Sequence, residues 1–489
     1  MIKPENTGVD LVNKIVKEVK TNVEIPMPDT ETVKKPLSVT ACAFLTGSEN
    51  SGGKTTLKAK VAFTFVYLAE EGYKKSEVTA DASAELALED PLVTVTANEA
   101  RIVASAEGYV ARCILVFKGE ATHRSSFGAI TGGEGLLVKD FTQNVDVNTG
   151  VSRDTLRIED EFEVGYAVSE VLSHVETVEL NEIKGGISAV VFDGEVNLSL
   201  CLLPFSENSD ILREKRNIPF RFELENVGTL PNMRAEGLAE IKKVAVKVVA
   251  DEGKSKSVIT VEMTLEFAGE GIDSVPVKLA SDAYSNYCEI VARKEEKEFV
   301  NFVGQFNFSE KYDGAANCEI PNGGRMITAV GERADVYSHS TSNGILRIAG
   351  AVKADVVFKN ADNGTSIAVA EMPFDMETEI AGEPVFKKIS LSDFSARAKN
   401  GGIEFEFTLK ANYKVYERVK AECITSIEEG AEKRVNESAL SVYIPTAGDG
   451  LWEVAKALGT TSEEIEKYNG ELNYPLTGEE RIIIYRRKI

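Results

Sequence analysis

The feature that most restricts the fold is a strand pattern that occurs three times. Val61-Ala62-Phe63-Thr64-Phe65, Val196-Asn197-Leu198-Ser199-Leu200 and Val352-Lys353-Ala354-Asp355-Val356 all alternate, with the period of two that puts every second side chain on one face of a strand. Each run follows a turn at the same relative place: Ser51-Gly52-Gly53, Lys184-Gly185-Gly186 and Ser342-Asn343-Gly344. Glycine and asparagine accept positive φ cheaply, so these turns predict hairpins. A further strand opens on Ile218-Pro219-Phe220 in the second copy and Met372-Pro373-Phe374 in the third, where the first copy has Ala82-Ser83-Ala84. Each copy closes with a hairpin: Ile102 to Phe117 through Ala106-Glu107-Gly108, Val244 to Leu265 through Asp251-Glu252-Gly253, and Phe394 to Leu409 through Lys399-Asn400-Gly401.

The second and third copies are offset by about 155 residues, a domain-sized period and far too long for a solenoid or propeller. The pattern predicts a mainly β chain of three tandem sandwich-like or barrel-like domains, over 31–125, 155–270 and 298–435. Linkers are expected over 126–154, where Phe127 to Gly135 is glycine-rich, and over 271–297. Before the first domain, Leu11, Ile15, Val16 and Val19 fall on one helical face, so 1–30 reads as a short amphipathic helix with a proline-marked linker.

The chain has 489 residues, 43% of them apolar, and a formal charge of −23. An acidic surface of this size excludes phosphate-neutralising nucleic-acid binders and docking on anionic lipid. No apolar run approaches the roughly 18 to 20 residues that span a bilayer. The stretch from Met1 to Asn6 leads into no apolar core, so no signal peptide is expected. Cys42, Cys113, Cys201, Cys288, Cys318 and Cys423 are scattered singly, as buried thiols in a reducing, cytoplasmic compartment are.

The C-terminal 438–489 differs from everything before it. Tyr443-Ile444 reads as a short strand, and Asp449 stands where a helix N-cap belongs. Leu451, Val454, Ala455 and Leu458 then follow at helical spacing up to Gly459. Thr461-Ser462-Glu463-Glu464 forms a capping box, Ile465, Tyr468 and Leu472 give a second helix its apolar face, and Arg481 to Tyr485 is a return strand. Pro445 cannot donate to a ladder, so its position should be unpaired.

This βααβ segment resembles a LysM module. The family's glycine, aspartate, leucine and tryptophan correspond to Gly448, Asp449, Leu451 and Trp452, its later asparagine to Asn469 and its turn glycine to Gly478. Gly450 replaces the usual threonine, and Glu479 stands where glutamine is common. The resemblance implies a ligand- or partner-binding surface in two loops, Thr446, Ala447, Gly448, Asp449, Gly450 and Leu451 in one, Asn469, Gly470, Glu471 and Leu472 in the other. Trp452 is expected to pack the module, not to serve as a sugar platform. Three SPOCS-like β-domains followed by such a module resemble the clostridial spore-coat morphogenetic proteins of the SipL type. That likeness implies a non-enzymatic scaffold in the mother cell, at the forespore or spore surface. The module would contact a coat basement-layer ATPase, and the β-domains would recruit other coat proteins. The alternative it leaves open is a cell-wall protein that binds peptidoglycan, an N-acetylglucosamine polymer.

Other candidate chemistry is thin. Gly52-Gly53-Lys54-Thr55 lacks the earlier glycine of a phosphate loop and falls in a hairpin turn common to the copies. His123, His174 and His339 stand apart from one another with no acidic or cysteine partner at ligand spacing, and neither GxSxG nor HExxH occurs. No catalytic residue, metal or cofactor is expected.

Overall fold

A computed structural model describes residues 2–28, 30–106, 108–205, 210–249, 255–362, 364–433, 440–470 and 472–485. Strands dominate up to Glu432. The first repeat contains β1 (Lys3–Pro26), β2 (Lys35–Ser51), β3 (Lys54–Ala69), β4 (Gly72–Leu86), β5 (Leu92–Ser105) and β6 (Gly108–Glu134). The second contains β7 (Leu137–Asn148), β8 (Ser152–Val164), β9 (Val168–Gly186), β10 (Ala189–Pro204), β11 (Leu212–Glu225), β12 (Arg234–Val249) and β13 (Ser257–Tyr284). The third contains β14 (Cys288–Cys318), β15 (Arg325–Ser342), β16 (Ile345–Lys359), β17 (Thr365–Glu379), β18 (Glu383–Lys399) and β19 (Gly402–Glu432).

The topology repeats with the sequence. Each copy has a three-strand meander, in the orders β2-β3-β4, β9-β10-β11 and β15-β16-β17. Each meander faces a closing hairpin, β5-β6, β12-β13 or β18-β19, and the copy's opening strand pairs with the hairpin's second strand. In the third copy β14 also meets β17 at Asn317↔Glu371 and Cys318↔Ala370, which joins the two layers into one six-stranded sheet. Every hairpin's first strand carries a register shift, at Asn98/Arg101, Ile241/Lys243 and Ser392/Ser395. Bulges of this kind bend a strand over a core.

The Pro-Phe strands have a packing reason. Phe220 lies opposite Gly194 and Phe374 opposite Gly350. A Cβ on Gly194 would come within 2.7 Å of the Phe220 ring, and one on Gly350 within 2.6 Å of the Phe374 ring. In the first copy the corresponding pair is Ala59 opposite Ala82, so the ladder matches Ile218-Pro219-Phe220 to Ala80-Asp81-Ala82, two positions before the Ala82-Ser83-Ala84 expected from sequence. The Gly–Phe pair of the second and third copies is thus Ala–Ala in the first.

Residues 9–19 are strand, not helix, and belong to the 24-residue β1, which pairs with β6 throughout. Valine and isoleucine lose χ1 freedom in a helix, and β6 offers a full-length partner. The expected linkers are strands as well. Residues 126–134 end β6, and 137–148 and 152–164 form β7 and β8, which pair with consecutive parts of β13. Residues 271–284 end β13, and 288 begins β14. These segments build three two-stranded ribbons that extend beyond the sandwiches. Val9, Ala129, Val145, Leu279, Phe299 and Cys423, one from each of the six ribbon strands, share a single buried cluster. A second cluster joins the meanders of all three copies through Leu37, Val66, Leu172, Cys201, Val330 and Val357. Equivalent residues converge in common clusters, so the repeats surround a shared axis.

After β19 come β20 (Leu440–Tyr443), α1 (Leu451–Leu458), α2 (Ser462–Asn469) and β21 (Ile482–Tyr485), with β20 and β21 antiparallel. Pro445 lies outside the paired strand. Among the described residues no helix is long and apolar enough to cross a membrane.

Candidate functional site

The C-terminal piece closes on a small core of Val454, Ala455, Ile465, Leu476 and Ile482, to which Tyr284 of β13 is added from outside. Gly459 ends α1 at φ 60°, the left-handed conformation expected of a C-terminal glycine. Thr461 caps α2 by accepting from the Glu464 N–H at 3.2 Å. The reciprocal half of the expected box is absent, because the Glu464 carboxylate instead takes the Thr460 hydroxyl. Asp449 is not the cap of α1. Its carboxylate accepts from the Thr446 N–H at 2.7 Å, and the capping place passes to Gly450, whose N–H donates to the Glu453 carboxylate at 3.1 Å.

The two loops singled out by sequence are placed as follows. Thr446, Ala447 and Gly448 are exposed, whereas Asp449, Gly450 and Leu451 are half-buried. Most amides of this loop are used internally. Thr446 N–H goes to Asp449, Gly448 N–H to the Leu476 carbonyl at 2.8 Å, Asp449 N–H to the Thr446 carbonyl at 3.0 Å, and Gly450 N–H to Glu453. In the other loop Asn469 is structural. Its amide nitrogen donates to the carbonyls of Ile465 (2.8 Å) and Ile483 (2.9 Å), and its oxygen accepts from the Ile483 N–H at 2.7 Å, so α2 is sewn to β21. Gly470 is exposed, Leu472 packs against the small core, and Glu471 lies outside the described residues.

Trp452 packs against the second repeat. Its ring meets Tyr284 edge-on with centroids 4.9 Å apart, and its Nε1 donates to Asp282 at 2.8 Å. Lys456 reaches the same carboxylate at 2.7 Å, and the Tyr284 hydroxyl donates to the Thr460 carbonyl at 2.5 Å. Burial works against ionisation of Asp282, yet the hydrogen bonds from Lys456 and Trp452 hold its carboxyl below the usual range. The piece is therefore fastened to the tip of the second ribbon.

A second set of polar residues, which the sequence reading missed, sits where the repeats meet. Glu120, Glu270 and Lys414 occupy equivalent positions, each nine residues before a member of the six-strand cluster (129 − 120, 279 − 270, 423 − 414). Lys414 lies 2.9 Å from Glu120 and 2.7 Å from Glu236. Lys14 contacts Glu236 at 2.5 Å and Glu270 at 2.6 Å, Lys387 contacts Glu120, and Tyr416 donates to Glu236 at 3.3 Å. Three carboxylates thus face three lysines. Burial penalises the Glu236 carboxylate, but Lys414 and Lys14 more than offset this and keep it ionised. Burial, reinforced by Lys414 and Lys118, pushes Lys387 well below the ordinary lysine range. No single residue announces this layer, since its members come from six strands drawn from all three repeats.

Beside the layer a chamber of about 580 Å³ opens between the repeats, lined by Thr94, Glu176, Glu240, Ala334 and Lys388 among others. His174 is not isolated: it pairs with Glu176, two residues along the same strand face, and Cys42 donates to the same carboxylate at 3.7 Å. Burial and that carboxylate push the Cys42 thiol far above its usual range, so it stays protonated. Thr55, the last residue of the glycine-rich turn, is fully buried and donates to the Leu88 carbonyl at 2.7 Å. That turn joins β2 to β3 as ordinary hairpin structure. No family model, no curated protein and no solved structure matches the chain.

Proposed function

We propose that the protein is a non-enzymatic scaffold of spore-coat or envelope assembly, in which the three β repeats form a rigid body. The C-terminal piece, of LysM type, addresses that body to a partner at the forespore surface. The observation that carries this reading is the commitment of Trp452 to Tyr284 and Asp282. The side chain best suited to stack on a sugar is used to fix the piece to the body. Thr446, Ala447 and Gly448 remain exposed beside it, on a loop whose amides are mostly spent internally. A loop with few free donors is a poorer cradle for N-acetyl groups than a shaped surface for protein. A coat basement-layer ATPase is the partner this reading favours, with other coat proteins recruited by the repeats.

The test is the full chain against a chain lacking residues 438–489. In sporulating cells the full chain, as a fluorescent fusion, is expected at the forespore surface and the truncated chain dispersed. A pull-down with the full chain should recover a coat-layer ATPase. Unchanged localisation on truncation, together with recovery of no coat protein, sinks the proposal. Co-sedimentation of the full chain with insoluble peptidoglycan would favour the cell-wall reading instead.

A further inference from the structure

Among the described residues, two clusters of exposed apolar side chains differ in their surrounding charge. The first is the outer face of the β20–β21 ribbon. Tyr443 and Ile482 pair on the inner face, so Val442 and Ile483, and Leu440 and Tyr485, pair on the outer one. Leu440, Val442, Ile444 and Tyr485 are between 50% and 60% exposed, and Tyr468 extends the patch by meeting Tyr485 edge-on at 5.3 Å. Exposed lysine and arginine border it: Lys467 lies 5.5 Å from the Tyr468 ring, and Arg481 precedes Ile482.

The second surface is on the second repeat, where its opening strand is interrupted between β7 and β8. Ile187 is 84% exposed and Val227 79%, with Leu230 and Val151 also outside. The loops that carry them are firmly set. Ser188 N–H donates to the Thr229 carbonyl and Asn226 N–H to the Ser188 carbonyl. The buried Asn226 side chain binds the Gly150 carbonyl at 2.7 Å and accepts from the hydroxyls of Thr149 and Thr229, both at 2.6 Å. Large side chains held outward on fixed loops lose little entropy on binding. Exposed Asp154 and Glu225 flank this knuckle, while Arg153 lies 4.0 Å from Asp90.

The two surfaces cannot serve each other within one chain. β13 runs from Gly271, which is tied to Thr149, to Tyr284, which holds the C-terminal piece. Those thirteen steps (284 − 271) correspond to roughly 40 Å of strand. We propose that the basic-rimmed ribbon face of one copy takes the acid-flanked knuckle of a second copy, in a head-to-tail contact. Such a contact joins different surfaces, so copies add head to tail, into a ring where the rotation closes and an open file where it does not. The inference goes beyond the scaffold reading and does not depend on the identity of an envelope partner.

The full chain and two variants decide it by sedimentation velocity. The parent chain is expected to form concentration-dependent species larger than a dimer, weakened at high salt. V442E/I444E and I187D/V227D should each associate at least about tenfold more weakly, since each puts charge into an apolar contact. An equimolar mixture of the two variants should restore a species that stops at the dimer, because one intact face and one intact knuckle remain. Recovery of that dimer also shows that both variants fold. A parent that is monomeric throughout, variants that associate like the parent, or a mixture without the dimer overturns the proposal. Loss of forespore localisation with association intact would instead bear on the scaffold reading alone.

Discussion

The layer where the three repeats meet and the contact that holds the C-terminal piece both use charge, but in opposite ways. At the axis, Lys14, Glu236, Glu270 and Lys414 are nearly or completely shielded from solvent, and each touches at least one opposite charge. At the C-terminal contact, Lys456 and Lys139 are about half exposed, and their pairs with Asp282 and Glu453 supplement one aromatic contact. Desolvated charges make each partner's presence obligatory, because removing one leaves another buried and uncompensated. Solvated pairs contribute little and can be broken one at a time. The body should therefore hold together or fail as a unit, and the piece should come away from an intact body.

The largest test of this contrast is Lys414→Ala. It leaves Glu120 and Glu236 short of a cation and should cost about 3–5 kcal/mol in urea-induced unfolding of the body. A loss near that of a surface lysine would break the comparison. Tyr284→Ala comes next, with about 2–3 kcal/mol lost from docking alone. Trp452 is the only tryptophan, so its emission should shift to the red while the urea midpoint of the body holds. A fall in that midpoint would mean that the two regions are one cooperative unit.

Acidification sharpens the same contrast. The folded-state pKa of Asp282 lies below its ordinary value of 3.8. Its contribution to docking is thus present above that value and is lost as pH falls through the lowered one. Asp282→Asn should remove about 1 kcal/mol of docking at neutral pH and flatten the acid dependence of Trp452 emission. An unaltered acid profile would assign the transition to another group. The smallest expected effect is that of Lys139→Ala, below about 0.5 kcal/mol by the same fluorescence reading.

Much of the fold was legible because it is written in short-range pattern. The alternation at Val196 to Leu200 needs only neighbouring residues to be read, and the same holds for the turn glycines and for Gly459 after α1. The Pro-Phe strands were visible as a repeat, although their reason, the Gly194–Phe220 and Gly350–Phe374 pairs, appears only across a ladder. The helix expected over 9–19 shows where such reading fails. Leu11, Ile15, Val16 and Val19 satisfy a helical face, and only β6, about a hundred residues later, makes them a strand. The site was legible to a similar depth. The caps at Gly459 and Thr461 stand, whereas Asp449 closes its own loop and Asn469 serves the core.

The sequence by itself determined a mainly β chain of three related copies and the element order of its C-terminal end. Alternation, turn chemistry and capping act between residues a few positions apart, and each is recorded locally. Tertiary structure alone decided that the supposed linkers are paired ribbons and that Glu120, Glu270 and Lys414 converge in one buried layer. It also decided that Trp452 faces Asp282 and Tyr284. Those outcomes depend on partners one hundred to three hundred residues away, and no local periodicity carries the identity of a distant partner.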